Sequence, residues 1–339
     1  MKKIFVTTLL IIGCVSVFAQ NSMSGERQRA RNFMQAGDLD NAVLVLAKAI
    51  EANKSDVGLQ KDLALAYYYQ KNYAKALETI HPVIASPDCD PAAYQLAGNI
   101  YKAQENYKEA ERNYKDGLKD FPNSGPLYND YGELLEIMKN PTGAIQHWEK
   151  GIQLAPSYGG NYYNAAVYYY KQQDDKVWAI IYGEIYANME SLNPKANNIK
   201  KMVLDAYKTK LFISNNLKAD AENQKNAFAK AVIETFAKQS GISAQGITPE
   251  SLAMIRTRFI LDWNTSFAKT YPFRLFEYHQ QLMKDGLFDS YNQWMFGPVS
   301  DQPEFEKWVA AHKAEYDKFT DFHKSRVFKM PKGQTYSLK

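Results

Sequence analysis

Five histidines, His81, His147, His279, His312 and His323, are the side chains best suited to exchange protons or hold a metal near neutral pH, and their spacing works against both roles. Glu277 and His279 stand two apart, which places them on different sides of a helix rather than on one ligating face. His312 and His323 are 11 apart, about three turns along one face, and that face also carries Phe305, Trp308, Val309, Tyr316 and Phe319. They read as half-buried members of an aromatic stripe. No Gly-x-Ser-x-Gly elbow, no glycine-rich phosphate loop before Lys-Ser or Lys-Thr, and no His-Glu-x-x-His occurs. The expectation is a chain with no catalytic residue, no metal ligand and no cofactor. The competing reading confines chemistry to residues 212–330, where Glu277, His279, Asn292 and Asp301 would line a pocket for a small ligand or an enzymatic reaction. In a carbohydrate-binding version, Tyr291, Trp294 and Trp308 would offer stacking faces.

The two cysteines divide between two contexts. Cys14 lies in an apolar leader, where Met1-Lys2-Lys3 is a basic n-region and Ile4 to Ile12 the apolar stretch. Val17-Phe18-Ala19 then places compact residues at the cleavage positions, so residues 1–19 read as an export signal cut before Gln20, with a periplasmic destination. Ile11-Ile12-Gly13-Cys14 resembles a lipobox, and the alternative is a lipid anchor on Cys14 and an outer-membrane lipoprotein. The apolar run ends at Gln20, too short for a transmembrane span. Cys89 sits between Asp88 and Asp90 in a turn and reads as incidental; alone in the exported chain it could form no internal disulfide. A net charge of +4 over 339 residues gives no argument for nucleic acid. Aromatic residues, at 14%, are the compositional outlier, and they suit helix-on-helix cores as well as binding faces.

The elements that must position any site follow a period. Alanine falls at Ala42, Ala76, Ala110 and Ala144, in steps of 34 residues. A small residue precedes each by twelve (Ala30, Ala64, Gly98, Gly132), followed three positions on by Phe33, Tyr67, Tyr101 and Leu135. Four positions after each alanine come Leu46, Ile80, Tyr114 and Trp148, and Pro122 and Pro156 follow the last two alanines by twelve. Turns are expected at Gly37-Asp38, Lys71-Asn72, Glu105-Asn106 and Asn140-Pro141. Asp90-Pro91 and Asn140-Pro141 also read as an Asx N-cap followed by proline at the first helical position.

This pattern resembles the tetratricopeptide repeat, a helix–turn–helix unit of 34 residues. The resemblance covers residues 23–192 as five units (23–56, 57–90, 91–124, 125–158 and a looser 159–192 with one extra residue in its turn). It implies an all-α solenoid whose concave face is lined by the first helix of each unit. Carried onto this sequence, the groove would be lined by Arg27, Arg31 and Met34; by Lys61, Leu65, Tyr68 and Tyr69; by Gln95, Asn99 and Lys102; by Asn129, Glu133 and Glu136; and by Tyr163, Val167 and Tyr170. Tyr67, Tyr101 and Tyr169 would pack between helices. The family's carboxylate clamp is not expected, because Asp62, Ala92 and Leu96 stand where it needs amide and basic groups.

Beyond the array, Asn193-Pro194 starts a capping helix over 193–211, since a terminal repeat must cover its apolar face. Residues 212–330 read as a helical, aromatic-rich domain. The patterns predict helices over Asp220–Lys238, from Thr248-Pro249 onward, and over Phe273–Lys284. An aromatic loop holds Phe288, Tyr291, Trp294 and Phe296, and one long helix runs from Gln302-Pro303 past His323. The basic tail of 331–339, part of an acid-free run from Lys324, is expected to fray. Together these features predict a non-enzymatic exported scaffold that holds a segment of an envelope protein in its groove.

Overall fold

The computed structural model describes residues 25–172, 176–213, 216–244 and 246–338. The expected leader, Cys14 and the extra turn residue of the fifth repeat lie outside them. The described chain is all-α and contains no strand, and it packs as two compact units, one up to Pro122 and one from Asn123 onward.

The first unit holds three helix pairs: α1 (25–35) with α2 (Leu39–Ala52), α3 (Val57–Tyr69) with α4 (Tyr73–Ile84), and α5 (Pro91–Ala103) with α6 (Tyr107–Asp120). In the second, α7 (Gly125–Ile137) pairs with α8 (Pro141–Leu154) and α9 (Gly159–Lys171) with α10 (Lys176–Met189). Helices α3, α5, α7 and α9 begin 34 residues apart. The turn within each of the first four pairs repeats one device. A residue with positive φ (Gly37, Lys71, Glu105, Lys139) precedes an Asx N-cap (Asp38, Asn72, Asn106, Asn140) whose side chain accepts the N–H three residues on. The fourth turn thus centres on Lys139-Asn140, one residue earlier than the pattern suggested.

The periodic small residues mark where paired helices touch. Ala42, Ala76, Ala110 and Ala144 are fully buried, as are Ala30 and Ala64. Across from them the packing follows a volume rule. Ala30 shares a core cluster with Leu46, and Ala64 with Ile80. Where the small residue is glycine, the partner is a ring: a Cβ on Gly98 would fall 2.3 Å from Tyr114, and one on Gly132 would fall 2.3 Å from Trp148. Neither ring leaves room for a methyl group.

In the second unit α11 (Lys195–Ala206) follows the repeats and runs into a π-helical turn, Tyr207–Leu211. The remaining elements are α12 (Leu217–Asn223), α13 (Ala227–Ala237), a short turn α14 (Ser240–Ser243), α15 (Pro249–Ser266), α16 (Arg274–Lys284), α17 (Phe288–Ser300), α18 (Gln302–Ala311) and α19 (Lys313–Lys324). Helix α10 packs against α13, and α11 against α17. Phe228, Val232 and Phe236 of α13 and Leu252, Ile255, Phe259 and Trp263 of α15 are buried as their spacing required.

Four expectations are corrected. The helix expected over Asp220–Lys238 is two helices, because Asn226 leaves the helical conformation to cap α13. The aromatic loop is α17, with Tyr291, Met295 and Phe296 fully buried: its rings recur at helical spacing, and Pro298 lies in its last turn, too late to prevent it. The long last helix breaks at His312, which adopts φ −121° and ψ 36° while its ring stacks on Trp308 at 4.3 Å. The tail does not fray. Phe328, Met330, Thr335 and Tyr336 are buried, the Tyr336 ring stacks on Phe228 at 4.5 Å, and its hydroxyl donates to the Pro272 carbonyl at 2.8 Å.

Candidate partner-binding surface

The first helices of successive repeats lie side by side, α3 against α5 in the first unit and α7 against α9 in the second. Their outward side chains are tied to the next repeat by polar bonds about one repeat long. Arg27 Nε donates to Asp62 Oδ2 at 2.9 Å, and Arg31 Nη2 to Asp62 Oδ1 at 3.4 Å. Lys61 pairs with Asp90, the N-cap of α5. Asp62 therefore serves as an anchor for two arginines of α1, which accounts for an acid where the clamp would need an amide. Gln95 and Asn99 are half-buried on α5, and the Lys102 ammonium lies 5.9 Å from the Tyr114 ring centre.

The tyrosines of α3 differ in exposure. Tyr67 packs into the cores on both sides of its helix. Tyr68 is half-buried against Tyr73 and Tyr69, and Tyr69 is 52% exposed. Lys61, Leu65, Tyr68 and Tyr69 follow helical spacing, and none of the four is fully buried.

The corresponding row in the second unit is more self-contained. Asn129 is buried; its amide donates to Glu133 at 3.0 Å, while Asn164 donates to both Asn129 (2.9 Å) and Glu133 (3.2 Å). Glu136 accepts from Lys171 at 3.0 Å. Glu133 and Glu136, expected to line the groove, are thus met by two amides and an ammonium within the protein. Tyr163 lies against Tyr186, with the Lys195 ammonium 4.8 Å over its ring, and the Tyr170 hydroxyl donates to Asp205. That bond raises the Tyr170 hydroxyl above an ordinary phenol, and burial adds to the effect. Tyr169 is buried, as its packing position required.

The strongest electrostatics lie in the interior. Glu184 of α10, Arg256 of α15, His279 of α16 and Tyr291 of α17 converge: Glu184 Oε1 pairs with Arg256 and accepts from Tyr291 at 2.7 Å, with His279 Nε2 at 2.9 Å. Burial alone would raise the Glu184 carboxyl, but the charges of Arg256 and His279 and the bonds from His279 and Tyr291 hold it down at about 2. His279 is lowered by burial and by Arg256, against the pull of Glu184. Nearby in the same unit, the Lys200 ammonium sits 3.4 Å over the Trp294 ring and donates to the Trp294 carbonyl at 3.0 Å; burial lowers its pKa to about 7. The His323 ring, 4.5 Å from Trp294, is lowered to about 4 by burial and by Lys200.

These groups are closely packed. The space beside Glu184, Arg256 and His279 measures about 10 Å³, room for one water. A larger hollow of about 980 Å³ is lined by residues including Tyr169, Trp178, Asp220 and Lys225, and by no member of the buried cluster. The residues expected around a C-terminal pocket disperse: His279 and Asn292 join the cluster, Glu277 is exposed, and Asp301 caps α18. Of the expected sugar-stacking faces, Tyr291 is fully buried, Trp294 lies between Lys200 and His323, and Trp308 stacks on His312. Among the described residues no group of three or more His, Cys, Asp or Glu could hold a metal. Sequence reasoning missed Glu184 and Arg256, although both interrupt apolar faces: Glu184 in Val177–Ala187, Arg256 between Leu252 and Phe259.

Repeated helix pairs with an Asx-capped inner turn and a small residue under each partner define a helical-repeat array. Residues 19–137 match the sequence model of the tetratricopeptide repeat-like domain, so this part of the chain carries repeats of the tetratricopeptide type. No curated protein matches it. Among solved structures it is similar to PilF of Pseudomonas aeruginosa (20% identity, covering 56% of this chain and 85% of that one, TM-score 0.46). A thermophilic tetratricopeptide repeat protein of Thermus thermophilus is 15% identical, over 55% of this chain and 98% of its own, with TM-score 0.43. One from Parabacteroides merdae is also 15% identical, over 70% and 92%, with TM-score 0.41.

Proposed function

We propose that this chain is a non-enzymatic scaffold that holds a segment of a protein partner along the first helices of its repeats, with α3 supplying the aromatic anchors. The observation that carries this reading is Tyr69, a large ring left 52% exposed in a row whose other polar side chains are largely bonded to neighbouring repeats. Tyrosine combines contact area with a polar tip and is enriched where binding energy concentrates. Leu65 and Lys61, one and two turns earlier on α3, would flank the segment, and Arg31 adds positive charge on α1. We also infer export, with the mature chain starting at Gln20 and its partner in the cell envelope. Among the described residues no helix is long and apolar enough to cross a membrane.

A photo-crosslinking amino acid at position 69, compared with one at the buried position 114, tests the surface. An envelope protein captured from 69 and not from 114, and lost with Lys61→Ala/Tyr68→Ala, is the expected result. Equal capture from both positions, or none from 69, refutes it. Intact mass of the exported protein tests the destination: a lipidated Cys14 terminus would replace the soluble reading with an anchored one.

A further inference from the structure

The C-terminal segment is more ordered than its composition suggests, and its order has a direction. From Phe322 to Leu338 there is no acidic residue, while Lys324, Arg326, Lys329 and Lys332 are all exposed. Exposure alternates along the extended stretch: Val327 and Lys329 face out, Phe328 and Met330 face in. The inward residues fix the segment. Phe328 packs edge-on against Tyr278, and Gln334 accepts the Arg274 backbone N–H at 2.6 Å. At the far end Asn226 donates to the Tyr336 carbonyl at 2.8 Å, and the Tyr182 hydroxyl donates to Ser337 at 2.6 Å. Anchored on both sides, the four cations are displayed together without the entropy loss a free tail would suffer on docking. Arg274 adds a fifth positive charge beside Phe328, and burial, together with the charge of Glu277, raises the Tyr336 hydroxyl.

Among these cations stands Val327, 74% exposed with no apolar cover. A nucleic acid or a polyacidic tract would be met by the charges alone and take little from an aliphatic tip held in water. A bilayer interface uses both, with phosphates at the level of the ammonium groups and the acyl boundary just below them. The Arg326 guanidinium, 4.3 Å over the Phe322 ring, keeps its charge on this surface while covering an aromatic face. We propose that the segment 324–332 docks the protein peripherally on an anionic phospholipid surface, with the cations at the headgroups and Val327 inserted among them. This is independent of the partner surface on α3.

The test is co-sedimentation of the full chain with vesicles of phosphatidylcholine alone and of equal parts phosphatidylcholine and phosphatidylglycerol. Neutral vesicles report whatever the apolar N-terminal stretch contributes. The expected result is stronger partition onto the anionic vesicles, falling as salt rises from about 0.1 M to about 0.5 M. Lys329→Gln/Lys332→Gln should lower that partition by about 30-fold, from roughly a kilocalorie per cation near such a surface. Val327→Asp should lower it further than Val327→Ser. All three positions are exposed, so unchanged circular dichroism melts will show that the fold is kept. Equal binding to both vesicle types, or partition insensitive to the double charge variant, overturns the proposal. So does retention on heparin or polyglutamate that the charge variants abolish while anionic vesicles are ignored, since that would assign the cations to a polyanion.

Discussion

Replacing Gly132 by alanine should destabilise the fourth repeat out of proportion to the one methyl group added. The new Cβ would lie 2.3 Å from Trp148 Nε1 and 2.6 Å from Cδ1, well inside contact distance. The ring has little freedom to retreat, because Trp148 is buried and its Nε1 donates to the Asn129 carbonyl at 3.2 Å. Overpacking of this kind costs about 1–3 kcal/mol, and losing the hydrogen bond adds about 0.5–1.5, so a total of about 2–4 kcal/mol is expected. Trp148→Leu alone, which leaves a void where the ring was, should cost about 2–3 kcal/mol. The informative variant is the double, Gly132→Ala/Trp148→Leu. It recreates the alanine and aliphatic pairing that the chain already uses at Ala30 with Leu46 and Ala64 with Ile80. The double should therefore cost no more than about 3 kcal/mol, a favourable coupling of about 2 kcal/mol relative to the sum. Urea unfolding followed by far-ultraviolet circular dichroism measures all four corners of the cycle, since helix content survives the loss of the tryptophan. Single-variant costs that add within about 0.5 kcal/mol would show that position 132 and position 148 are not exchanging volume, and the packing rule would fall.

Three further outcomes are expected. Lys139→Gly should stabilise the second unit by about 0.5–1 kcal/mol in the same urea assay, because Lys139 holds φ at 61°, where a side chain is strained and glycine is not. Glu184→Gln should cost about 3–5 kcal/mol by leaving Arg256 buried without its counter-charge; since the folded carboxyl titrates at about 2, below its unfolded value, this stabilisation is present above about pH 4.5 and is lost as pH falls toward 2. Lys200 titrates at about 7 in the fold and near 10.5 when unfolded, so the unfolded state binds the extra proton between those values and stability rises with pH across that window. Lys200→Met should therefore raise the melting temperature most near pH 6 and progressively less toward pH 10.

How much of this was legible beforehand depends on the distance over which each feature is decided. The repeat boundaries, the buried alanines and the Asx caps of the inner turns are decided within a few residues or within one helix pair, and each of the first four repeats states them again. A pattern seen at Asp56 and Asn72 is therefore corroborated at Asp90 and Asn106. The bonds between successive first helices were also within reach. Arg27 with Asp62, Glu136 with Lys171 and Tyr170 with Asp205 are each 35 residues apart, one residue beyond the period, and pair opposite charges or a donor with an acceptor. They were read instead as free groove residues, because the family pattern says which side a position faces and not whether its neighbour already occupies it. The α3 tyrosines show the same limit from the other side: adjacent Tyr67, Tyr68 and Tyr69 range from core to exposed because a helix turns by about 100° per residue.

The interior of the second unit lay beyond any local rule. Arg256 finds Glu184 across 72 residues and His279 finds it across 95, and no period relates them. What the sequence did carry was the anomaly, a charged residue on each of two apolar faces where a lone charge would cost far more than a helix face can recover. Two such anomalies on elements of a chain that must share a core imply each other, since burying either one demands a partner. Glu184 and Arg256 have opposite signs, and together with the interrupting His279 and Asn292 they exhaust most of the polar residues on the inner faces of α10, α15, α16 and α17. Pairing them would have placed the last repeat against the C-terminal helices before any coordinates were drawn. The same reasoning applies to Lys200, which had no acid to pair with. Its partner is the face and carbonyl of Trp294, an interaction that leaves no trace in a charge pattern.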